Sequence, residues 1–140
     1  MLDLIRHAGR KRHEAQHMVL ARRGEDLAHR FVEEQLGWEV VARNYRHPMR
    51  KLEIDMVAVD GNTLVVAEVK TRSSDEVSEP LRAVDREKAW HIGQGARAWI
   101  KRAEMLAMPV RFDVLTVIIG EREQVDYHRD VYALGERRPV

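Results

Sequence analysis

Glu53-Ile54-Asp55-Met56-Val57-Ala58-Val59-Asp60-Gly61-Asn62-Thr63-Leu64-Val65-Val66-Ala67-Glu68-Val69-Lys70 reads as a strand, a tight turn and a returning strand. Residues 53 to 59 alternate with period two, so Ile54, Met56 and Ala58 are expected on one face and Asp55, Val57 and Val59 on the other. Asp55 then shares its face with apolar neighbours. If Gly61 and Asn62 are the two loop residues, residue 60 pairs with 63 and Asp55 lies opposite Glu68. A loop of Asp60-Gly61 would set Glu53 opposite Glu68 instead, and either loop keeps Asp55, Glu68 and Lys70 on one face. The segment Leu64 to Ala67 is apolar at every position, as expected of a strand covered on both sides.

Two carboxylates facing each other across a strand pair sit roughly 5 Å apart at Cβ and destabilise the sheet unless something positive lies between them. A divalent cation is the natural candidate, and Lys70 could hold a water molecule or a phosphate beside it. The plainer reading is a solvated face, since charged residues at strand ends are common.

The order Glu-Ile-Asp, hairpin, Glu-x-Lys resembles the PD-(D/E)xK nuclease core of restriction endonucleases and archaeal Holliday-junction resolvases. More closely, Gly24-Glu25-Asp26-Leu27-Ala28, Ala42-Arg43-Asn44-Tyr45-Arg46, Glu53-Ile54-Asp55, Glu68-Val69-Lys70-Thr71-Arg72 and Pro80 with Ala83-Val84 resemble the bacterial YraN family of predicted endonucleases. The resemblance runs from about Gly24 to the strand around Phe112-Asp113-Val114. It departs at Leu52, where the family usually has Gly, after a longer approach through His47-Pro48-Met49-Arg50-Lys51. The resemblance implies metal-dependent hydrolysis of DNA phosphodiester bonds, on branched or structured DNA among other substrates. It further implies Asp55, Glu68 and Lys70 as catalytic residues, and Asp55, Glu68 and Glu25 as ligands of Mg²⁺ or Mn²⁺.

Glu25 stands out on its own account. Helical spacing from about Glu14 to Gly37 puts Leu20, Gly24, Leu27 and Phe31 on one stripe, with Ala21, Ala28, Val32 and Leu36 beside it. Glu25 falls within the second stripe, and a carboxylate on a packing face is costly unless paired or coordinated. A salt bridge to Arg43 or Arg46 would satisfy it equally well.

The chain has 140 residues, 44% apolar and 34% charged, which suits one small globular domain. Its apolar runs are far too short to span a bilayer, no signal-peptide pattern appears, and a cytoplasmic location is expected. With no cysteine there is neither a disulfide framework nor a thiolate metal site. Residues 1–17 form a basic arm, 18–134 the domain and 135–140 a tail. Net charge is only +1, but residues 1 to 23 carry Arg6, Arg10, Lys11, Arg12, Arg22 and Arg23 against Asp3 and Glu14. His13 and His17 lie four apart in this arm without a third donor nearby, so no metal site is assigned to them.

Beyond Lys70 a polar loop is expected over Thr71 to Glu76. Asp85 then caps a second helix reaching about Met105, with Ala89, Ile92, Ala96, Trp99 and Ala103 on its buried stripe. Another face of that helix carries Arg86, Trp90, Arg97 and Lys101, which together with Arg72 are the candidate DNA-backbone contacts. A strand over Val110 to Ile119 and an edge strand over Gln124 to Tyr132 complete the reading. The expected fold is α/β with a restriction-endonuclease-like core, α-β-β-β-α-β(-β), one mixed sheet flanked by helices. Two other functions remain open, a non-catalytic nucleic-acid-binding module with the same fold and a protein-interaction domain. The oligomeric state is also open, a homodimer included.

Overall fold

The computed structural model describes residues 2–46, 53–74, 86–102 and 108–132. Helix α1 (Leu2–Glu34) is followed by strands β1 (Glu39–Arg46), β2 (Glu53–Asp60) and β3 (Thr63–Ser73), helix α2 (Arg86–Arg102), and strands β4 (Val110–Ile119) and β5 (Gln124–Tyr132). This is the expected α-β-β-β-α-β-β order, with a five-stranded sheet whose spatial order is also β1-β2-β3-β4-β5. The pairs β1–β2, β2–β3 and β4–β5 are antiparallel, while β3 and β4 run parallel. Parallel neighbours need a crossover connection, and α2 lies in that connection.

The hairpin has the register of the Gly61-Asn62 loop, with Asp60 opposite Thr63 and Met56 opposite Ala67. Gly61 takes φ +60°, as the first central residue of a II′ turn requires, while Asn62 is not left-handed. Leu64, Val65, Val66 and Ala67 are all buried because β3 is covered on both faces. On one face Ala28 and Val32 of α1 pack with Met56, Ala58, Val65, Ala67, Leu115 and Val117. On the other, Ile92 and Ala96 of α2 pack with Val57, Leu64, Val66, Phe112 and Val114.

Three expectations need correction. Strict alternation fails at the start of β2: Ile54 packs on the α2 side, although Met56 and Ala58, of the same parity, pack on the α1 side. The polar segment after Lys70 is not yet loop, because Thr71, Arg72 and Ser73 continue β3 by pairing with Val117, Ile118 and Ile119. Backbone pairing to a buried parallel neighbour outweighs side-chain polarity there. Finally, α1 begins at Leu2, about twelve residues earlier than apolar periodicity alone marks. The added turns hold Arg6, Arg10, Lys11 and Arg12, good helix formers that give no apolar stripe to mark.

Gly37 at φ +71° ends α1, and Trp38 N–H donates to Val32 O at 2.9 Å across the turn. In α2, Ile92 and Ala96 are buried as expected, Trp99 packs at the edge of that cluster, and Gly93 and Gly95 are both buried. Asp85, Ala103, Met105, residues 47–52 and the 135–140 tail lie outside the described residues, as do the side chains of Ala89, Arg86 and Arg97.

Candidate metal centre

The break at the start of β2 has a chemical cause. Ladder pairing with β3 stops at Met56–Ala67, and beyond it Val69 N–H donates to Asp55 Oδ2 at 2.9 Å. A backbone donor that would otherwise lack its strand partner is satisfied by a carboxylate. Asp55 is thereby tied to β3 beside Glu68, and its side chain is half-buried.

Burial is the main influence on the Asp55 carboxyl, pushing it up to about 6, with smaller upward contributions from Glu25, Glu68 and Glu53. The Val69 hydrogen bond opposes these but does not overcome them. Three further carboxylates therefore act on one half-buried acid. Glu53, placed opposite Glu68 by the alternative loop, was not assigned to the site from sequence, although its place two residues before Asp55 on one strand was the available signal.

Glu25 reaches this group from α1 because of Gly24. A Cβ on Gly24 would fall inside the Thr71 side chain, within 2.9 Å of its Cβ, so only glycine lets the helix lie this close to β3. Glu25 does have an arginine, as its position on a packing face suggested: Arg43 Nη2 stands 3.7 Å from its carboxylate. The same Arg43 makes its shorter contact, 2.8 Å, with exposed Asp26. Glu25 thus belongs to the carboxylate group electrostatically while leaning on a shared cation.

Asp55 and Glu68 line a cavity of about 90 Å³ with Glu53, Ile54, Val66, Ala67, Ile92 and Phe112. Liquid water occupies roughly 30 Å³ per molecule, so this space suits a few waters or an ion with part of its hydration shell. A nucleotide would have to lie outside it. Lys70 shares the strand face of Glu68, is half-buried, and is not among the residues lining the cavity. Among the described residues no group of three or more His, Asp or Glu side chains is arranged to hold a metal ion. The donor set consists of carboxylate oxygens and is small, which fits a hard cation that keeps most of its waters rather than one held by a closed cage.

The candidate backbone contacts are dispersed. Arg72 is exposed, with Nη1 donating to Thr71 O at 3.0 Å, and Lys101 is exposed on α2. Trp90 is half-buried and meets His91 edge-on, with ring centroids 5.0 Å apart.

A second polar cluster, unforeseen in the sequence, lies at the hairpin end of the sheet. Asp113 is fully buried and accepts from Arg111 Nε and Nη2, from Tyr127 Oη at 2.5 Å and from Asp130 N at 2.8 Å. Arg111 also reaches Asp60 at 2.9 Å and lies 5.8 Å from the centroid of the Trp38 ring. The hydrogen bond to Asp113 holds Arg111 more firmly protonated, while burial and then the bond to Asp113 push the Tyr127 phenol up. The missed signal is two charges of one parity, Arg111 and Asp113, in an otherwise apolar strand.

The model of uncharacterised protein family UPF0102 matches residues 24–117, from the glycine that seats α1 to Val117 near the end of β4. The chain belongs to this family. A UPF0102 protein of Solibacter usitatus is 42% identical over 123 residues, spanning 88% of this chain and 90% of its own. Another, of Paenarthrobacter aurescens, is 45% identical over 100 residues, covering 71% and 80% of the two chains. One from Geobacter sulfurreducens is 43% identical over 101 residues, 72% and 77% respectively. The UPF0102 match contains Gly24, Glu25, Asp55, Glu68 and Lys70, and leaves residues 1–23 outside. Among the described residues of this UPF0102 protein no helix is long and apolar enough to cross a membrane.

Proposed function

We propose that this protein is a metal-dependent nuclease of the PD-(D/E)xK type, close to the YraN group, that hydrolyses DNA phosphodiester bonds. The observation that carries the reading is Asp55: a half-buried carboxyl tied to Val69 N–H, sharing a cavity of about 90 Å³ with Glu68 and raised to about 6 by burial and neighbouring acids. Carboxylates gathered at such cost to one another are characteristic of functional sites.

Asp55 and Glu68 would hold Mg²⁺ or Mn²⁺, with Glu25 placed to assist directly or through water. A bound divalent cation supplies Lewis-acid activation of water and charge neutralisation at the scissile phosphate. The chain's own residues supply the rest. The hydrogen bond from Val69 N–H fixes the direction of one Asp55 oxygen, which pre-organises the donor. Lys70, on the Glu68 face and with no carboxylate paired to it among the described residues, is placed to orient the attacking water or to meet charge developing on the phosphate oxygens. Arg72, exposed beside it, would contact backbone phosphate and add little sequence preference.

The test is cleavage of labelled linear, flapped and four-way DNA with Mg²⁺ and with Mn²⁺. Cutting that disappears in both Asp55→Asn and Lys70→Ala supports the reading. Tight DNA binding without cutting of any substrate by either metal would replace it with a non-catalytic nucleic-acid-binding module.

A further inference from the structure

The described side chains in the first half of α1 do not pack on the sheet. Arg6 and every residue from Ala8 to Val19 are exposed, Leu20 is half-buried, and full burial begins at Gly24. The helix is nonetheless continuous from Leu2 to Glu34. Two contacts place the point of departure: Gly24 lies against Thr71 near the end of β3, and Arg23 pairs with Glu123 in the β4–β5 turn. Both belong to the end of the sheet that carries Asp55 and Glu68. The helix then runs the other way, toward Trp38 and the Arg111 cluster, so its free half projects past the carboxylate end.

Helix periodicity says which side of the overhang faces the sheet's end. Gly24, Ala28 and Val32 form the packed stripe at i, i+4 and i+8. Carried back toward the N-terminus at 3.6 residues per turn, the same stripe holds Arg6, Arg10, His13 and His17. The face that is small and apolar over the sheet becomes cationic and imidazole-bearing once the sheet has ended, with Glu14 at its margin. Lys11 and Arg12 point to the opposite side. From Gly24 to Arg6 the helix reaches about 27 Å.

Charge is divided along the same line. Residues 1–23 hold six Lys or Arg against two acidic residues, whereas the other 117 hold eighteen against twenty-one. A body that is net negative, with carboxylates at its centre, does not by itself attract a polyanion.

Resting on the nuclease reading above, we propose that this overhanging helix is a strap for the DNA backbone: Arg6 and Arg10, on the face continuing the packed stripe, grip phosphates of the strand that lies across the Asp55–Glu68 cavity. DNA is the occupant because the charge of the stripe complements phosphate and because stripe and cavity lie at the same end of the sheet, α1 on one face and the cavity on the α2 face, so that a strand reaching both passes around that end. Among the described residues of the overhang, the exposed large apolar side chains are Met18 and Val19, adjacent residues rather than an extended patch, and they do not suggest a second copy of the chain as the occupant.

The test compares full-length wild type, Arg6→Gln/Arg10→Gln and Lys11→Gln/Arg12→Gln by fluorescence anisotropy with labelled duplex and flapped DNA in EDTA, so that no strand is cut, across a salt series. Glutamine keeps helix propensity, and circular dichroism verifies that the helix survives. The inward pair is expected to weaken binding and to make the slope of log affinity against log salt shallower by about 1.8, the value for two phosphate contacts on duplex DNA. The outward pair is expected to change the slope by less than half as much. Equal effects of the two pairs, no effect of the inward pair, or loss of binding to phosphatidylglycerol vesicles in place of DNA would overturn the strap. Cleavage with Mn²⁺ is scored separately. Wild type that cuts DNA while the inward pair binds like wild type sinks the strap alone, and arm-dependent binding without any cutting sinks the nuclease reading alone.

Discussion

Asp55→Asn should make the protein more stable while destroying its proposed activity. The Asp55 carboxyl moves from 3.8 to about 6 on folding, so the folded state binds its proton more tightly than the unfolded chain does. At 1.36 kcal/mol per tenfold change in proton affinity, keeping it ionised in the fold costs about 3 kcal/mol. The sign follows from linkage. Below the unfolded value of 3.8 the group is protonated in both states and contributes nothing; as pH rises to about 6 stability is progressively lost, and the full cost persists above that. Asparagine has nearly the same size, keeps a carbonyl acceptor for Val69 N–H and carries no charge. Urea denaturation of the two proteins in EDTA should therefore show Asp55→Asn more stable by up to about 3 kcal/mol at pH 7.5, with the gap closing toward pH 4. In the wild type alone, millimolar Mg²⁺ or Mn²⁺ should recover part of that stability by binding only the folded state. A gap that is absent at pH 7.5, or the same at pH 4, would refute the burial-and-repulsion account of this carboxyl.

Lys70→Ala should retain the metal-dependent rise in melting temperature and lose cleavage, because its proposed work is on water and transition-state charge rather than on the cation. Substituting Gly24 by Ala forces a Cβ into the Thr71 side chain, so a loss of about 1–3 kcal/mol and a weakened metal response are expected as α1 and Glu25 move away from β3. Thermal melts with and without Mn²⁺ measure both, and unchanged melts would contradict the close packing. Removing the buried carboxylate with Asp113→Ala leaves Arg111, Tyr127 Oη and Asp130 N without their shared acceptor, and should destabilise by about 3–5 kcal/mol. A loss below about 1 kcal/mol in urea titration would show that Asp60 alone satisfies Arg111.

Local chemistry made much of the hairpin legible. Gly61 between two apolar runs marked the turn but left two loops open, Gly61-Asn62 and Asp60-Gly61; under either, period two put Glu68 and Lys70 on the face of Leu64 and Val66, and the register of the folded sheet chose the first. The helices on Ala28 and Val32 and on Ile92 and Ala96 followed from 3.6-residue spacing, and the family match over residues 24–117 spans these elements. Alternation could not say where β2 leaves β3. That depends on Val69 N–H finding the Asp55 carboxylate when the ladder stops, an interaction between residues fourteen apart whose geometry exists only after the sheet has formed. The seating of Glu25 was likewise undecided, because Gly24 in a helix pattern shows only that a side chain is missing, and the Thr71 that requires it comes from β3, distant in sequence. Arg111 and Asp113 looked like two charges in a strand; their burial became tolerable only when Tyr127 from β5, Asp130 N and Asp60 from β2 closed around them. Periodicity assigns residues to faces, but desolvation and pairing energies depend on which other elements arrive at those faces, and those elements are brought there by tertiary packing.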